Sequence, residues 1–205
     1  MYRLDKKDAS ILFELDRNSR QSINELATTT KLSRDVVSYR IGRLEKAGVI
    51  KKYIAIIDYG KFQYHAVRLY LQLQNTTSEI EEQIATFFVQ QGNTLTTYKT
   101  DGEYNLAIGF LVREFKEFQQ TYEEFSKKYR HYVTRKNFSI IPNYIHYQRN
   151  YLVDKKNQDY HPITTGDLKP YSCDERDIQL LNLIKENARL SLLELARELK
   201  MTATG

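Results

Sequence analysis

The side chains best suited to chemistry lie within residues 33–52. Ser33 follows a very short turn and can cap a helix whose buried stripe is Val37, Ile41 and Leu44, spaced i, i+4, i+7. The opposite face then shows Arg34, Asp35, Ser38, Tyr39, Gly42 and Arg43. Arg34 and Arg43 can reach guanine or a phosphate, Ser38 and Tyr39 can hydrogen-bond either, and Asp35 can accept from a cytosine amino group. Lys51 and Lys52, just beyond the Gly48 stop, are better placed for phosphates. Any surface helix carries polar residues outside, so this chemistry points to double-stranded DNA only if its neighbours form a reading module.

The neighbours do have that order. Residues 5–15 place Ala9, Ile11, Leu12 and Leu15 at helical spacing behind an Asp5 cap, and residues 16–19 break the pattern. Ser22 and Glu25 form a capping box for a second short helix ending near Thr30, with Ile23, Leu26 and Ala27 facing inward. After the third helix, residues 49–57 are β-branched and partly alternating, which predicts a wing strand. Helix, short helix, tight turn, long helix and strand is the winged helix-turn-helix order. Residues 1–53 also hold 12 Lys/Arg against 7 Asp/Glu, a local +5 equal to the net charge of all 205 residues. A basic surface confined to one module is the footprint of a phosphate binder.

The next stretch changes period. Residues 65–74 alternate at Val67, Leu69, Leu71 and Leu73, which predicts a strand; residues 78–91 and 115–129 predict amphipathic helices. Residues 94–100 and 104–112 flank Asp101-Gly102-Glu103, a hairpin signal, and residues 133–147 are extended with a break at Pro142. The order β-α-β-β-α-β is the ferredoxin-like split unit. Alternating strands with two helices leave one sheet face in need of cover, which predicts a dimer or a multiple of one through residues 65–150.

Residues 154–171 are polar, carry two prolines and a glycine, and read as a linker or wrapping arm. Beyond them the chain repeats its start at an offset of 169. Asp5/Asp174, Asp8/Asp177, Asn18/Asn187, Arg20/Arg189, Ser22/Ser191, Glu25/Glu194 and Leu26/Leu195 are among ten identities in 33 positions. The copy reaches its second helix and turn and stops at residues 202–205, before a third helix. The expected class is therefore α+β, in four parts: a winged helix-turn-helix over 1–60, a βαββαβ effector and assembly domain over 61–153, a linker over 154–171, and a partial second helix-turn-helix over 172–205.

The stretches LDKKDASILFELDRNSRQSINELA, LSRDVVSYRIGRLEKAGVIKKYIAIIDYGKFQYHAV and DGEYNLAIGF resemble the Lrp/AsnC family of transcription regulators over roughly residues 2–150. RIGRLEKAGVI is the most specific element. The resemblance implies DNA binding by the winged module, pairing of the βαββαβ domains through their sheets, and a small-molecule effector such as an amino acid at a subunit interface. The family's ligand-loop pattern Gly-x-Tyr-Asp falls on Gly102, Glu103, Tyr104 and Asn105, so Asp101, Gly102, Tyr104 and Asn105 are the effector residues it implies. Asn105 replaces the usual acid, which removes a charge that would hold an ammonium group.

Other classes find less support. Siroheme decarboxylases share this architecture and resemble the chain at residues 104–106, but His65, His131, His146 and His161 are scattered and no His-Asn-Tyr element precedes the hairpin. A DNA-free assembly protein on the same fold is the other alternative. Sixteen tyrosines without tryptophan suggest single-strand stacking, yet Tyr122, Phe125 and Tyr129 at helical spacing read as packing. There is no P-loop, dinucleotide fingerprint or Ser/His/Asp arrangement, so no catalytic residue, cofactor or metal is expected. The lone Cys173 has no partner for a disulfide or a zinc site, and no apolar run approaches the ~20 residues of a span. A cytoplasmic protein with no membrane partner is the reading that follows.

Overall fold

The computed structural model describes residues 2–153 and 162–202, which form two compact units. The first comprises the described residues within 1–57, 146–163 and 172–205; the second comprises 58–145 and 164–171. Part of the expected linker, 154–161, lies outside the described residues, as do His161 and residues 203–205.

In the first unit, α1 (Lys6–Arg17), α2 (Ile23–Thr30) and α3 (Arg34–Lys46) each begin where a side chain can accept from first-turn amides. Asp5 Oδ1 accepts from the Asp8 amide at 2.8 Å while Asp8 receives the Asp5 amide, a reciprocal capping box; Ser22 and Glu25 repeat it on α2. Lys31, at φ 56°, makes the left-handed turn between α2 and α3, and Gly48, at φ +68°, follows the end of α3. Ile11, Leu15, Leu26, Val37 and Ile41 are buried together, with Ile50 and Tyr53 against them. The expected stripe of α3 is thus the inward one.

The expected wing strand is not formed. Residues 51–58 have no secondary structure, and Ile54 is 61% exposed. β-Branched residues favour extended backbone, but a strand also needs a neighbour to bond, and no ladder partner for this segment occurs among the described residues.

The second unit is a four-stranded antiparallel sheet of β1 (His65–Leu73), β2 (Thr94–Lys99), β3 (Leu106–Val112) and β4 (Val133–Ile141), in the order β2-β3-β1-β4. With α4 (Ser78–Val89) and α5 (Phe115–Tyr129) this is the ferredoxin-like arrangement. Val67, Leu69 and Leu71 of β1 pack with Leu106, Ile108 and Phe110 of β3 against Ile84, Phe88 and Phe125 of the helices. Pro142, which has no amide hydrogen, follows β4 and separates it from β5 (Tyr144–His146), which pairs with β6 (Ile163–Thr165). The stretch after β6 wraps the unit: the Gly166 amide donates to Asp58 Oδ1 at 2.7 Å and Lys61 pairs with Asp167. A side chain at Gly60 would come within 2.5 Å of Gly166, so the close approach requires glycine.

The repeat is structural as well as sequential. α6 (Glu175–Glu186) and α7 (Leu192–Glu198) reproduce both capping boxes, with Asp174/Asp177 and Ser191/Glu194, and Lys200 repeats the left-handed turn of Lys31 at φ 54°. The two copies pack within the first unit through a reciprocal contact. Arg20 Nη1 donates to the Ala188 carbonyl at 2.5 Å, and Arg189 donates to the Ser19 and Gln21 carbonyls. Since Ser19 and Ala188 are themselves equivalent positions, the contact has the self-complementary form of a two-fold pair.

Candidate nucleic-acid interface

The outward surface of α3 is built on a buried charge. Asp8, with no exposed area, accepts from Arg40 Nη1 at 2.6 Å and from Arg43 Nη2 at 2.9 Å, while Asp5 also accepts from Arg40 at 2.8 Å. Arg43 further sits over the Tyr2 ring, 5.3 Å from its centre. The capping acids of α1 therefore fix the rotation of α3. The Asp8 amide, with Arg40 adding to it, holds the Asp5 carboxyl below the usual carboxylate range, against the opposing effect of burial.

This places the expected DNA residues in three groups. Arg34, Asp35, Ser38 and Tyr39 are exposed on one face of α3, Tyr39 at 70%. Ser33 is exposed but its hydroxyl caps the helix, accepting from the Val36 amide at 3.4 Å. Arg43 is half-exposed with its guanidinium on Asp8, turned toward the scaffold rather than projecting freely. Lys51 is exposed, whereas Lys52 pairs with Glu186 of α6 at 3.1 Å. Lys31 and Lys46, not singled out from sequence, are exposed at either end of α3. Arg40 was the other omission: three residues after Val37, it flanks the buried stripe, and the Asp5–Asp8 capping pair was the available sign of its partner.

Gly42 lies one turn beyond Ser38 and Tyr39, and a methyl group there would meet nothing within 4 Å. The face is open at its middle. Arginine, hydroxyl, phenol and a gap on one helix face match what a major groove presents.

In the second unit the hairpin is a built turn. Asn105 Oδ1 accepts from the Leu73 amide at 2.6 Å, and the Asn105 amide donates to Leu71. The Tyr104 ring packs on Tyr70 at 5.5 Å, Glu103 pairs with Arg135, and Gly102 takes φ +137°. Asp101 is exposed beside them. His65 packs on Phe115 and His131 on Tyr132, and no His, Cys, Asp and Glu cluster suited to a metal occurs among the described residues. No helix among them is long and apolar enough to cross a membrane.

A winged helix-turn-helix DNA-binding family matches residues 4–51 and again residues 174–205. The chain is 30% identical over 145 residues to the HTH-type transcriptional regulator PH0045 of Pyrococcus horikoshii, covering 69% of this chain and 92% of the relative. An AsnC family transcriptional regulator from Agrobacterium tumefaciens superposes with a TM-score of 0.61 at 19% identity, over 71% of this chain and 95% of that one. The regulator NMB0573 of Neisseria meningitidis, solved as a complex with L-Met, superposes at 0.59 and 21% identity, over 68% and 90%.

Proposed function

The chain belongs to the Lrp/AsnC family of winged helix-turn-helix, DNA-binding transcription regulators, and from that premise we propose that α3 reads its operator through Arg34, Asp35, Ser38 and Tyr39. The observation that carries this is the exposed face of α3, locked in rotation by Asp8. Arg34 and Tyr39 address base edges, while Lys31, Lys46 and Lys51 approach phosphates. Arg43 and Arg40 position the helix, Ser33 caps it, and Lys52 is engaged by Glu186. The test is footprinting on selected genomic fragments followed by titration of variants. Arg34→Ala and Tyr39→Ala should each cost about 1–3 kcal/mol and relax preference at one base position, and Lys51→Ala should reduce the salt slope by about 1. Unchanged affinity and footprint in all three variants would overturn the assignment.

A neighbour solved with an amino acid favours a second reading, an effector at the hairpin. Here Asn105 spends its carbonyl on Leu73, so Asp101, the Gly102 backbone and Tyr104 are left as the contacts. A thermal-shift screen of amino acids and common metabolites should find stabilisation that Tyr104→Ala abolishes. Self-assembly through the sheet belongs to the same reading, because α4 and α5 pack on one face of it; light scattering showing a monomer at micromolar concentration would exclude it.

A further inference from the structure

The segment that follows α3 has no ladder among the described residues, yet Tyr53 within it is firmly held. It packs against the core of the N-terminal copy, and its hydroxyl donates to Glu45 Oε1 of α3 at 2.7 Å. Its carbonyl accepts the Ala188 amide at 2.8 Å, and the Arg189 guanidinium lies over its ring, 5.2 Å from the centre. Arg189 is itself anchored, donating to the Ser19 and Gln21 carbonyls of the turn between α1 and α2. Burial first, and Glu45 next, push the Tyr53 phenol well above its ordinary range, so it stays protonated as a donor to Glu45. Tyr53 is thus tied both to the end of the reading helix and to the C-terminal copy.

The two residues before it are Lys51 and Lys52, both exposed. Their surroundings differ. Lys52 pairs with Glu186 of α6 at 3.1 Å, whereas Lys51 makes no ion pair among the described residues. An exposed pair of that kind contributes little by itself, so it does not suffice to hold Lys52 away from a phosphate. Fixing the backbone of the next residue does, because neighbouring side chains along an extended segment point to opposite sides. Exposure alternates from Tyr53 onward, with Ile54 and Ile56 outward, as an extended segment requires.

We propose that the C-terminal copy selects which lysine after the reading helix meets the DNA backbone, with Arg189 as the positioning residue. Its grip on Tyr53 presents Lys51 to phosphate and turns Lys52 toward α6. The Ala188 amide gives this segment a backbone bond that the expected wing ladder does not. Arg189 acts through Tyr53 and touches no DNA. The inference rests on the reading that Lys51 approaches a phosphate.

The test is the salt dependence of operator affinity across about 50–200 mM for lysine variants of the full chain. In the parent, Lys51→Ala should lower the salt slope by about 1 and Lys52→Ala should leave it unchanged. In an Arg189→Ala background that difference should vanish, each lysine substitution lowering the slope equally. Tyr53→Leu, which keeps Arg189 on the Ser19 and Gln21 carbonyls, should equalise the lysines in the same way. Glu186→Gln, which removes only the ion pair, should preserve the difference. The base preference set by α3 should stay as in the parent throughout; its loss in Arg189→Ala would overturn the assignment by placing the effect on the whole module. Equal losses from the two lysines in the parent, or a difference that survives Arg189→Ala or Tyr53→Leu, would overturn the inference alone. So would equalisation by Glu186→Gln, since the ion pair and not the grip would then select. A Lys51→Ala protein with the parent's slope would instead overturn the phosphate reading, and the inference with it.

Discussion

Gly42 offers the sharpest separation of stability from binding at the scale of single residues. Glycine inside a helix costs roughly 0.5–1 kcal/mol relative to alanine, and nothing within 4 Å of Gly42 obliges the chain to accept that cost. Close approach of a nucleic-acid backbone beside Ser38 and Tyr39 would supply the reason. Gly42→Ala should therefore raise unfolding free energy by about 0.5–1 kcal/mol and lower operator affinity; a stabilised variant with undiminished affinity would show that DNA passes elsewhere. Asp8 should behave in the opposite way. Removing one member of a buried ion-pair cluster strands the others, so Asp8→Ala should destabilise the winged module by roughly 3 kcal/mol, measurable in denaturant. Arg43 shows why residue-level reading stops short: its spacing assigns it to the outward face of α3, but the acid it meets lies 35 residues earlier and only folding brings them together.

Helices and strands were more legible than side-chain partners because each carries its own period. The alternation of Val67, Leu69 and Leu71 and the capping residues Asp5, Ser22 and Ser33 mark β1, α1, α2 and α3 from local sequence alone. Residues 49–57 have strand composition but no ladder, since pairing depends on a second segment that composition cannot supply. The capping boxes also make a titration prediction. Asp5 is held low by the Asp8 amide first, Glu25 by the Ser22 amide, and Glu194 by the Ser191 hydroxyl and amide. A carboxyl whose folded pKa is depressed contributes stability that is complete above its unfolded value and is lost as pH falls through the folded one. Urea midpoints should hold between pH 7 and about 5, then fall from roughly pH 4.3 downward. Glu25→Gln and Glu194→Gln should flatten that fall; an acid limb of unchanged steepness would assign it to other groups.

Over the whole molecule, the duplication makes a copy of the reading module into a packing partner for the original. The offset of 169 was visible in sequence, and so were its caps; that Arg20 and Arg189 would exchange donors across the copies was not, because an arginine in a turn has no periodic signature. The exchange is unequal in consequence. α6 has no buried residue, whereas α1 has five, so the C-terminal copy has little core of its own. Its folding then depends on contacts with the N-terminal copy: Arg20 on the Ala188 carbonyl, the Ala188 amide on the Tyr53 carbonyl at 2.8 Å, and Arg189 over the Tyr53 ring. A hydrogen bond from a charged donor contributes about 1.5–3 kcal/mol. Arg20→Ala, although it lies between α1 and α2, should reduce hydrogen-exchange protection in α6 and α7 by about tenfold or more while leaving α1 and α3 near their original values. Adding Arg189→Ala should cost less than the sum of the two single effects, because either loss loosens the same reciprocal contact. Strict additivity, or loss of protection confined to α1 and α2, would mean that the two copies fold independently and that their symmetric contact contributes nothing to either.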